Sequence, residues 1–364
     1  MNKILLTPGP LTTSQTVKEA MLVDSCTWDD DYKKVTQSIR KDLLQIAGVG
    51  EDDYTAILMQ GSGTFGIEAM INTIIKVDEK SLILVNGAYG QRIVDIAIKQ
   101  NKKVIALVGD ETKTYQIAEI ENVLIENKDI KYVFMVHCET TTGILNNLEE
   151  VASLVKKYHK IFMIDAMSSF GGIPIDLKKN NISGLVSSSN KCLQGVPGFS
   201  FVIIYRDLIK QAQNNSTSLA LDLFEQWECF EKENGKWRFT SPTHVVNAFR
   251  RALDEFKQEG GLNKRFKRYQ KNQKLLVELM KELGFKTVLD QVNQSPIITT
   301  FYYPNNPKFT FKGLYDYLKE RNFIIYPGKL SRLNIFRIGN IGEVSAADIR
   351  RLVKVIQKYL EVLK

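Results

Sequence analysis

Along the first two-thirds of the chain, short β-branched apolar runs alternate with longer stretches in which apolar residues return every three or four positions. The runs 54–60, 81–86, 103–108, 131–137, 160–165, 184–188 and 199–205 read as strands. Several are apolar nearly throughout, the pattern of strands covered on both faces of a sheet. Between them, 66–76, 93–100 and 148–158 read as amphipathic helices. Strand–helix alternation of this kind predicts an α/β domain on a mainly parallel, seven-stranded sheet. Near Thr240 the texture changes. A charged, helix-favouring stretch runs over 243–283, shorter strand patterns follow at 297–303, 324–326 and 335–337, and a closing helix covers 345–363 with Ser345 placed to cap it. This second part reads as a smaller α+β domain.

Composition changes little in that picture. The 364 residues are 44% hydrophobic and 25% charged, ordinary for a globular chain with a large core. At roughly 150 residues per domain the length suggests two domains. No run approaches the roughly 20 apolar residues that cross a bilayer, and the opening Leu5-Leu6 run is stopped by Pro8 and Pro10, unlike a secretory signal; a cytoplasmic protein is expected. Four scattered cysteines predict no disulfide framework, and three dispersed histidines predict no metal site. The net charge of +8 is spread among acids, as in 264–268 after Asp254, Glu255 and Glu259, so it reads as solvated helix faces rather than a nucleic-acid surface.

Four strand-end features carry candidate chemistry, since ligands in open α/β sheets bind beyond the carboxyl ends of strands. Gly61-Ser62-Gly63-Thr64-Phe65-Gly66 fits G-x-G-x-x-G, but the next strand ends in Asn86-Gly87 with no acid for a ribose hydroxyl, which counts against a nicotinamide cofactor. It remains either a tight turn or an anion cradle at a helix start, with the Ser62 and Thr64 hydroxyls as extra donors. Asp165 follows four apolar residues, where a carboxylate needs a cationic or donor partner or else caps its own loop through Ser168. Lys191 sits between a strand and a loop rich in Gly and Pro, preceded by Ser187, Ser188, Ser189 and Asn190. Surface lysine is the commonest case, yet a desolvated one becomes a nucleophile. The run Glu139-Thr140-Thr141-Thr142-Gly143 offers three hydroxyls for a ligand or for a local turn. Together the four make an ordered set of cradle, threonine loop, acid and amine, which are the groups that pyridoxal phosphate needs for its phosphate, ring nitrogen and aldehyde.

Carried by these residues, the chain resembles the fold-type-I pyridoxal-phosphate-dependent aminotransferases almost end to end. The likeness includes 6–13, 24–31, Asn86-Gly87-Ala88-Tyr89-Gly90, Asp165-Ala166-Met167-Ser168-Ser169-Phe170-Gly171-Gly172, 190–199, 236–244, Tyr326-Pro327-Gly328-Lys329 and 336–343. The one small difference lies at Thr64-Phe65, where relatives vary. The resemblance implies a large domain over 15–250 and a small one over 1–14 and 251–364. It makes Lys191 and Asp165 catalytic, Lys191 bonding the cofactor's aldehyde and Asp165 pairing with its ring nitrogen. Ser62, Gly63 and Thr64 would hold the phosphate, Tyr89 would stack on the ring, and Thr140 and Ser189 would also touch the cofactor. Thr240 would reach the phosphate from the second subunit of a homodimer with shared sites, and no metal is implied. Arg337 would clamp the substrate's acidic group, with Arg92, Lys329 or Arg332 as candidate helpers.

Within that family the likeness is fullest to members that use 2-aminoethylphosphonate. The expected reaction moves its amino group to pyruvate, giving phosphonoacetaldehyde and L-alanine. An alanine– or serine–glyoxylate aminotransferase is the runner-up. A cysteine desulfurase using Cys229, a nicotinamide-dependent oxidoreductase and a non-catalytic binding protein are more distant rivals.

Overall fold

The computed structural model describes residues 3–330 and 333–364. Its centre is a sheet of β1 (Tyr54–Gln60), β2 (Lys80–Val85), β3 (Lys103–Val108), β4 (Ile130–Val136), β5 (Ile161–Asp165), β6 (Ile182–Ser188) and β7 (Phe199–Tyr205), in the order β1-β7-β6-β5-β4-β2-β3. β7 is antiparallel to both neighbours, and the other adjacent pairs are parallel. The expected strands therefore form, with ends shifted by no more than two residues. Because β7 alone is reversed, the carboxyl ends of the other six share one edge. The middle strands are buried along almost their whole length, as the unbroken apolar runs required.

Helices α1 (Asp30–Ile46), α2 (Gly63–Ile74), α3 (Ala88–Lys99), α4 (Ile117–Glu126) and α5 (Leu148–Lys157) cover the sheet. α2 and α3 begin three and five residues earlier than the periodicity indicated. Their first turns, Gly63-Thr64-Phe65-Gly66 with its exposed phenylalanine and Ala88-Tyr89-Gly90-Gln91, carry no 3.6-residue apolar signal.

The expected long helical stretch is two helices, α6 (Thr243–Glu259) and α7 (Gly261–Glu282). They part at Gly260, whose φ of +101° closes α6 in a left-handed cap. β8 (Ile298–Tyr302), β9 (Tyr326–Pro327) and β10 (Ile335–Gly339) form a second, antiparallel sheet with β10 in the middle. The strand expected at 324–326 divides. Phe323–Ile324 pairs in parallel with Ile4–Leu5, while β9 turns to β10. The closing helix α8 (Ala346–Val362) starts at Ser345 with a complete capping box to Asp348. One apolar core surrounds the large sheet, and another joins Leu6, Leu276, Phe301, Phe336, Leu352 and Ile356. Among the described residues no helix is long and apolar enough to cross a membrane, and no cluster of three His, Cys, Asp or Glu could hold a metal.

Candidate active site

The shared edge of the sheet opens on a cleft of about 250 Å³, lined among others by Ser62, Thr64, Tyr89, Arg92, Asp165 and Lys191. Each comes from just beyond a strand: Ser62 and Thr64 after β1, Tyr89 and Arg92 after β2, Asp165 at the end of β5, Lys191 after β6. Larger grooves exist, such as one of about 610 Å³ between α7 and residues 285–294, but it gathers no comparable set of reactive groups.

Lys191 and Asp165 give the cleft its chemistry. Desolvation holds the Lys191 amine below the ordinary lysine range, although Tyr89 and Asp165 act in the opposite direction. The Nζ donates to the Pro8 carbonyl at 3.0 Å. Gly9 lies so close that a Cβ there would stand 2.6 Å from Lys191 Cδ, and its φ is +111°. The opening segment of the chain thus forms one wall of the amine's niche. Asp165 is buried and its carboxyl is pushed up to about 6, first by desolvation and further by Glu139. Its Oδ1 accepts the Met167 N–H at 2.8 Å, so the loop cap expected through Ser168 is made by Met167.

Ser62 is the N-cap of α2 and makes no side-chain cap bond. The first-turn N–H groups of a helix have no intrahelical partner, so the start of α2 presents donors and the positive end of its dipole to the cleft. A Cβ at Gly63 would displace the Met167 thioether, which packs against the start of α2. Arg92 follows Tyr89 by one helical turn. Its Nη1 donates to Thr64 Oγ1 at 3.3 Å, and its guanidinium stands 5.0 Å from the Tyr89 ring. Lys329 Nζ is 4.8 Å from the same ring. Burial alone would raise the Tyr89 phenol, but Lys191, Lys329 and the Thr140 hydroxyl outweigh it and hold it below the usual tyrosine range.

Other expected residues lie around this centre rather than on the cleft lining. Arg337, in the middle strand β10, is buried and donates from Nε to Pro327 O at 2.9 Å and from Nη1 to Thr140 O at 2.8 Å. It is thereby locked to the threonine loop. The Ser189 hydroxyl donates to Val196 O at 2.6 Å, while Ser188 and Asn190 line the cleft. Thr240 is exposed and outside the lining, and Arg332 lies outside the described residues.

Sequence reasoning passed over Gly9, Met167 and Glu139. The buried Glu139 carboxylate accepts the N–H groups of Tyr89 at 3.0 Å and Gly90 at 3.4 Å at the start of α3, and also the Thr141 N–H at 3.1 Å and the Thr141 hydroxyl. An acid straight after an apolar strand was the available signal, the same that picked out Asp165.

A lysine amine whose hold on its proton is weakened by desolvation, a buried carboxyl and a helix N-terminus around one cleft fit a pyridine aldehyde bearing a phosphate. Comparison with known proteins agrees. The Aminotransferase class-V family model matches residues 25–331. A 2-aminoethylphosphonate–pyruvate transaminase of Bacillus mycoides strain KBAB4 is 53% identical over 355 residues, 98% of this chain and 97% of its own. A bifunctional phosphonoacetaldehyde hydrolase/aminoethylphosphonate transaminase of Clostridioides difficile strain 630 is 51% identical over 98% of this chain, which spans 56% of that relative's length. Among solved structures, an alanine–glyoxylate aminotransferase of a Nostoc species superposes with a TM-score of 0.90 over 99% of this chain and 96% of its own; at 24% identity the likeness is one of fold. With most of its length matched by the family model and relatives more than half identical end to end, this chain belongs to the class-V aminotransferases.

Proposed function

We propose that this protein transfers the amino group of 2-aminoethylphosphonate to pyruvate, using pyridoxal phosphate, to give phosphonoacetaldehyde and L-alanine. The observation that carries the reading is the joint opening of Lys191 and Asp165 on one cleft beside the start of α2, in a chain so close to transaminases named for this substrate. When bound, the cofactor supplies an aldehyde to receive the amino group and a cationic ring to receive an electron pair. Lys191 Nζ, free of its proton, takes the proton from the substrate's amino-bearing carbon. The Asp165 carboxylate would pair with the ring nitrogen and keep a proton there. Ser62, Gly63 and Thr64 would hold the phosphate, Tyr89 would stack on the ring, and Thr140 and Ser189 would support the cofactor from the surrounding loops. Arg337 takes the acidic end of each substrate, because a planar guanidinium pairs equally with phosphonate and carboxylate.

The proposal includes a homodimer in which Thr240 of one copy completes the other's phosphate site. Exposed apolar side chains border that region. Val23 lies beside the start of α6, where Asn247 donates to its carbonyl, exposed Trp28 lies under Lys236, and Phe239 is exposed beside Thr240. The large domain is assigned to 15–250 and the small one to 1–14 with 251–364; the two largest apolar clusters support a division of this kind, with Leu253 and Phe256 packing into the large-sheet core. Four free thiols suit the reducing cytoplasm. The test is direct: purified protein with 2-aminoethylphosphonate and pyruvate is assayed for L-alanine, with glyoxylate as alternative acceptor and taurine as alternative donor. Alanine formation from the phosphonate supports the assignment; turnover only with glyoxylate and an α-amino acid would move it to the runner-up.

A further inference from the structure

The turn that carries Lys191 is held from the other side by a buried ionic group that belongs to α6 and α7. Arg265 is 2% exposed, and its Nη1 donates to the carbonyl of Cys192, the residue next to the lysine, at 2.7 Å. The Tyr269 hydroxyl donates to the same oxygen at 3.2 Å. Tyr269 in turn accepts from Gln194 Nε2 at 2.7 Å, and Gln194 Nε2 also reaches Gly342 O at 3.0 Å. Gln194 has a φ of +63°, unusual for a residue with a side chain, and its N–H closes the turn on Lys191 O at 2.8 Å. Glu259 at the end of α6 balances the charge. It accepts from Arg265 Nε at 2.5 Å and from Arg268 Nε at 2.8 Å, while Arg268 Nη1 holds Gly342 O at 2.9 Å.

Placing a guanidinium where water cannot reach it costs several kcal/mol unless it is paired and hydrogen-bonded. Here Nε is paired with a carboxylate, and Nη1 is directed at one backbone oxygen beside the reactive amine. A left-handed glutamine is likewise a local cost that persists only where neighbours over-determine it. Two such costs converge on a single turn, the one that aims Lys191 past Gly9 into the cleft.

We propose that Arg265, with Tyr269, is a positioning residue for Lys191: by fixing the Cys192 carbonyl it sets where the lysine amine stands. This rests on the reading of Lys191 as the amine that bonds the cofactor. The side chains of Arg265 and Tyr269 act through the backbone and touch neither substrate nor cofactor. A displacement near 1 Å at a reacting group is worth about 100-fold in rate, so loss of the anchor falls on the chemical step and spares substrate binding.

The test compares wild type with Arg265→Met, Arg265→Lys and Tyr269→Phe as holoenzymes, normalised to cofactor content. Three quantities are read: kcat and KM for 2-aminoethylphosphonate, the rate at which the visible absorption band appears when pyridoxal phosphate is added to cofactor-free protein, and the lysine labelled after borohydride reduction. Arg265→Met is expected to lower kcat by about 10- to 100-fold and to slow band formation, with KM changed less than about threefold and the label still on Lys191. Arg265→Lys, which keeps a donor and the charge, is expected to recover part of the loss. Should Arg265→Met fail to fold, Tyr269→Phe decides, because it deletes one hydroxyl from a buried ring; a fall of about 3- to 10-fold in kcat at constant KM is expected, the scale of one hydrogen bond. Wild-type kcat and band-formation rate per loaded site in the folded variants would overturn the inference while leaving Lys191 in its role. A wild-type label on another lysine would overturn both.

Discussion

Replacing Asp165 with Asn should make the cofactor-free protein more stable while it disables the enzyme. The carboxyl ends β5, is buried, and is pushed from 3.8 up to about 6, with desolvation the largest cause. A carboxyl that holds its proton more tightly in the folded state weakens the fold as pH rises. The cost is absent below about pH 3.8, grows across the interval and is complete above about pH 6. At 1.36 kcal/mol per tenfold change in proton affinity, the interval corresponds to about 3 kcal/mol. Asparagine mimics the uncharged form and retains an oxygen to accept the Met167 N–H. Urea unfolding of the two cofactor-free proteins at pH 8 should therefore favour the variant by up to about 3 kcal/mol, and the gap should close as pH falls toward 4. In the holoenzyme the amide has no charge with which to hold a proton on a facing ring nitrogen. Turnover should fall by about 10²–10³-fold, the range for removing one preorganised electrostatic group. A variant no more stable than wild type at pH 8 would show that Asp165 is not a desolvated charge in the empty cleft, and the reasoning would fail.

Gly9→Ala should lower kcat by about 10- to 100-fold, since its Cβ would stand 2.6 Å from Lys191 Cδ at a φ of +111°; the left-handed backbone adds about 1–2 kcal/mol of instability, and an unchanged kcat would refute the close approach. Lys191→Ala should abolish alanine formation and leave no borohydride-trapped adduct in the mass spectrum of the intact protein; an adduct that persists elsewhere would contradict the assignment. Arg337→Lys keeps the charge but cannot reproduce the fork that meets Pro327 O and Thr140 O, so KM for both substrates should rise by about 10- to 100-fold, the scale of a hydrogen bond to a charged group. A variant with wild-type KM values would remove Arg337 from the acid-binding role. Gly63→Ala should weaken cofactor retention at least about tenfold, a cost near 1.4 kcal/mol, measured by equilibrium dialysis, because the new methyl displaces the Met167 thioether that packs against the start of α2.

Much of this arrangement was legible along the chain. Strand positions followed from unbroken apolar runs; Ser62, Asp165 and Lys191 were found as polar residues at or just past their ends, and Tyr89 through the family resemblance, and the shared sheet edge gathers all four. Less legible were features whose cause is distant in sequence. Gly9 reads locally as part of a proline-rich break, and only the return of Lys191 against it explains the glycine. Arg265 stands in a run of charges, Lys264-Arg265-Phe266-Lys267-Arg268, that reads as a solvated face; one of them is instead among the most buried side chains of the protein. Helix periodicity cannot separate such a cation from its exposed neighbours, because the difference lies in Glu259 and Cys192. The division of 324–326 between two partners was hidden for a similar reason, as pairing depends on Ile4–Leu5 and β10.

The first dozen residues reach the lysine's niche only by leaning on much later ones: Leu6 bonds to Ile324 and Gly339, and Thr12 O accepts from Glu343 N–H. A ribosome delivers these partners more than 300 residues later. The nascent sheet can present Lys191 long before, yet the enclosure that dries and aims its amine awaits a closure spanning more than 300 positions of sequence, the sort of long-range contact whose entropy must be met late in folding. A chain that stops short of Ile324 therefore lacks the partners that hold this wall of the amine's niche in place.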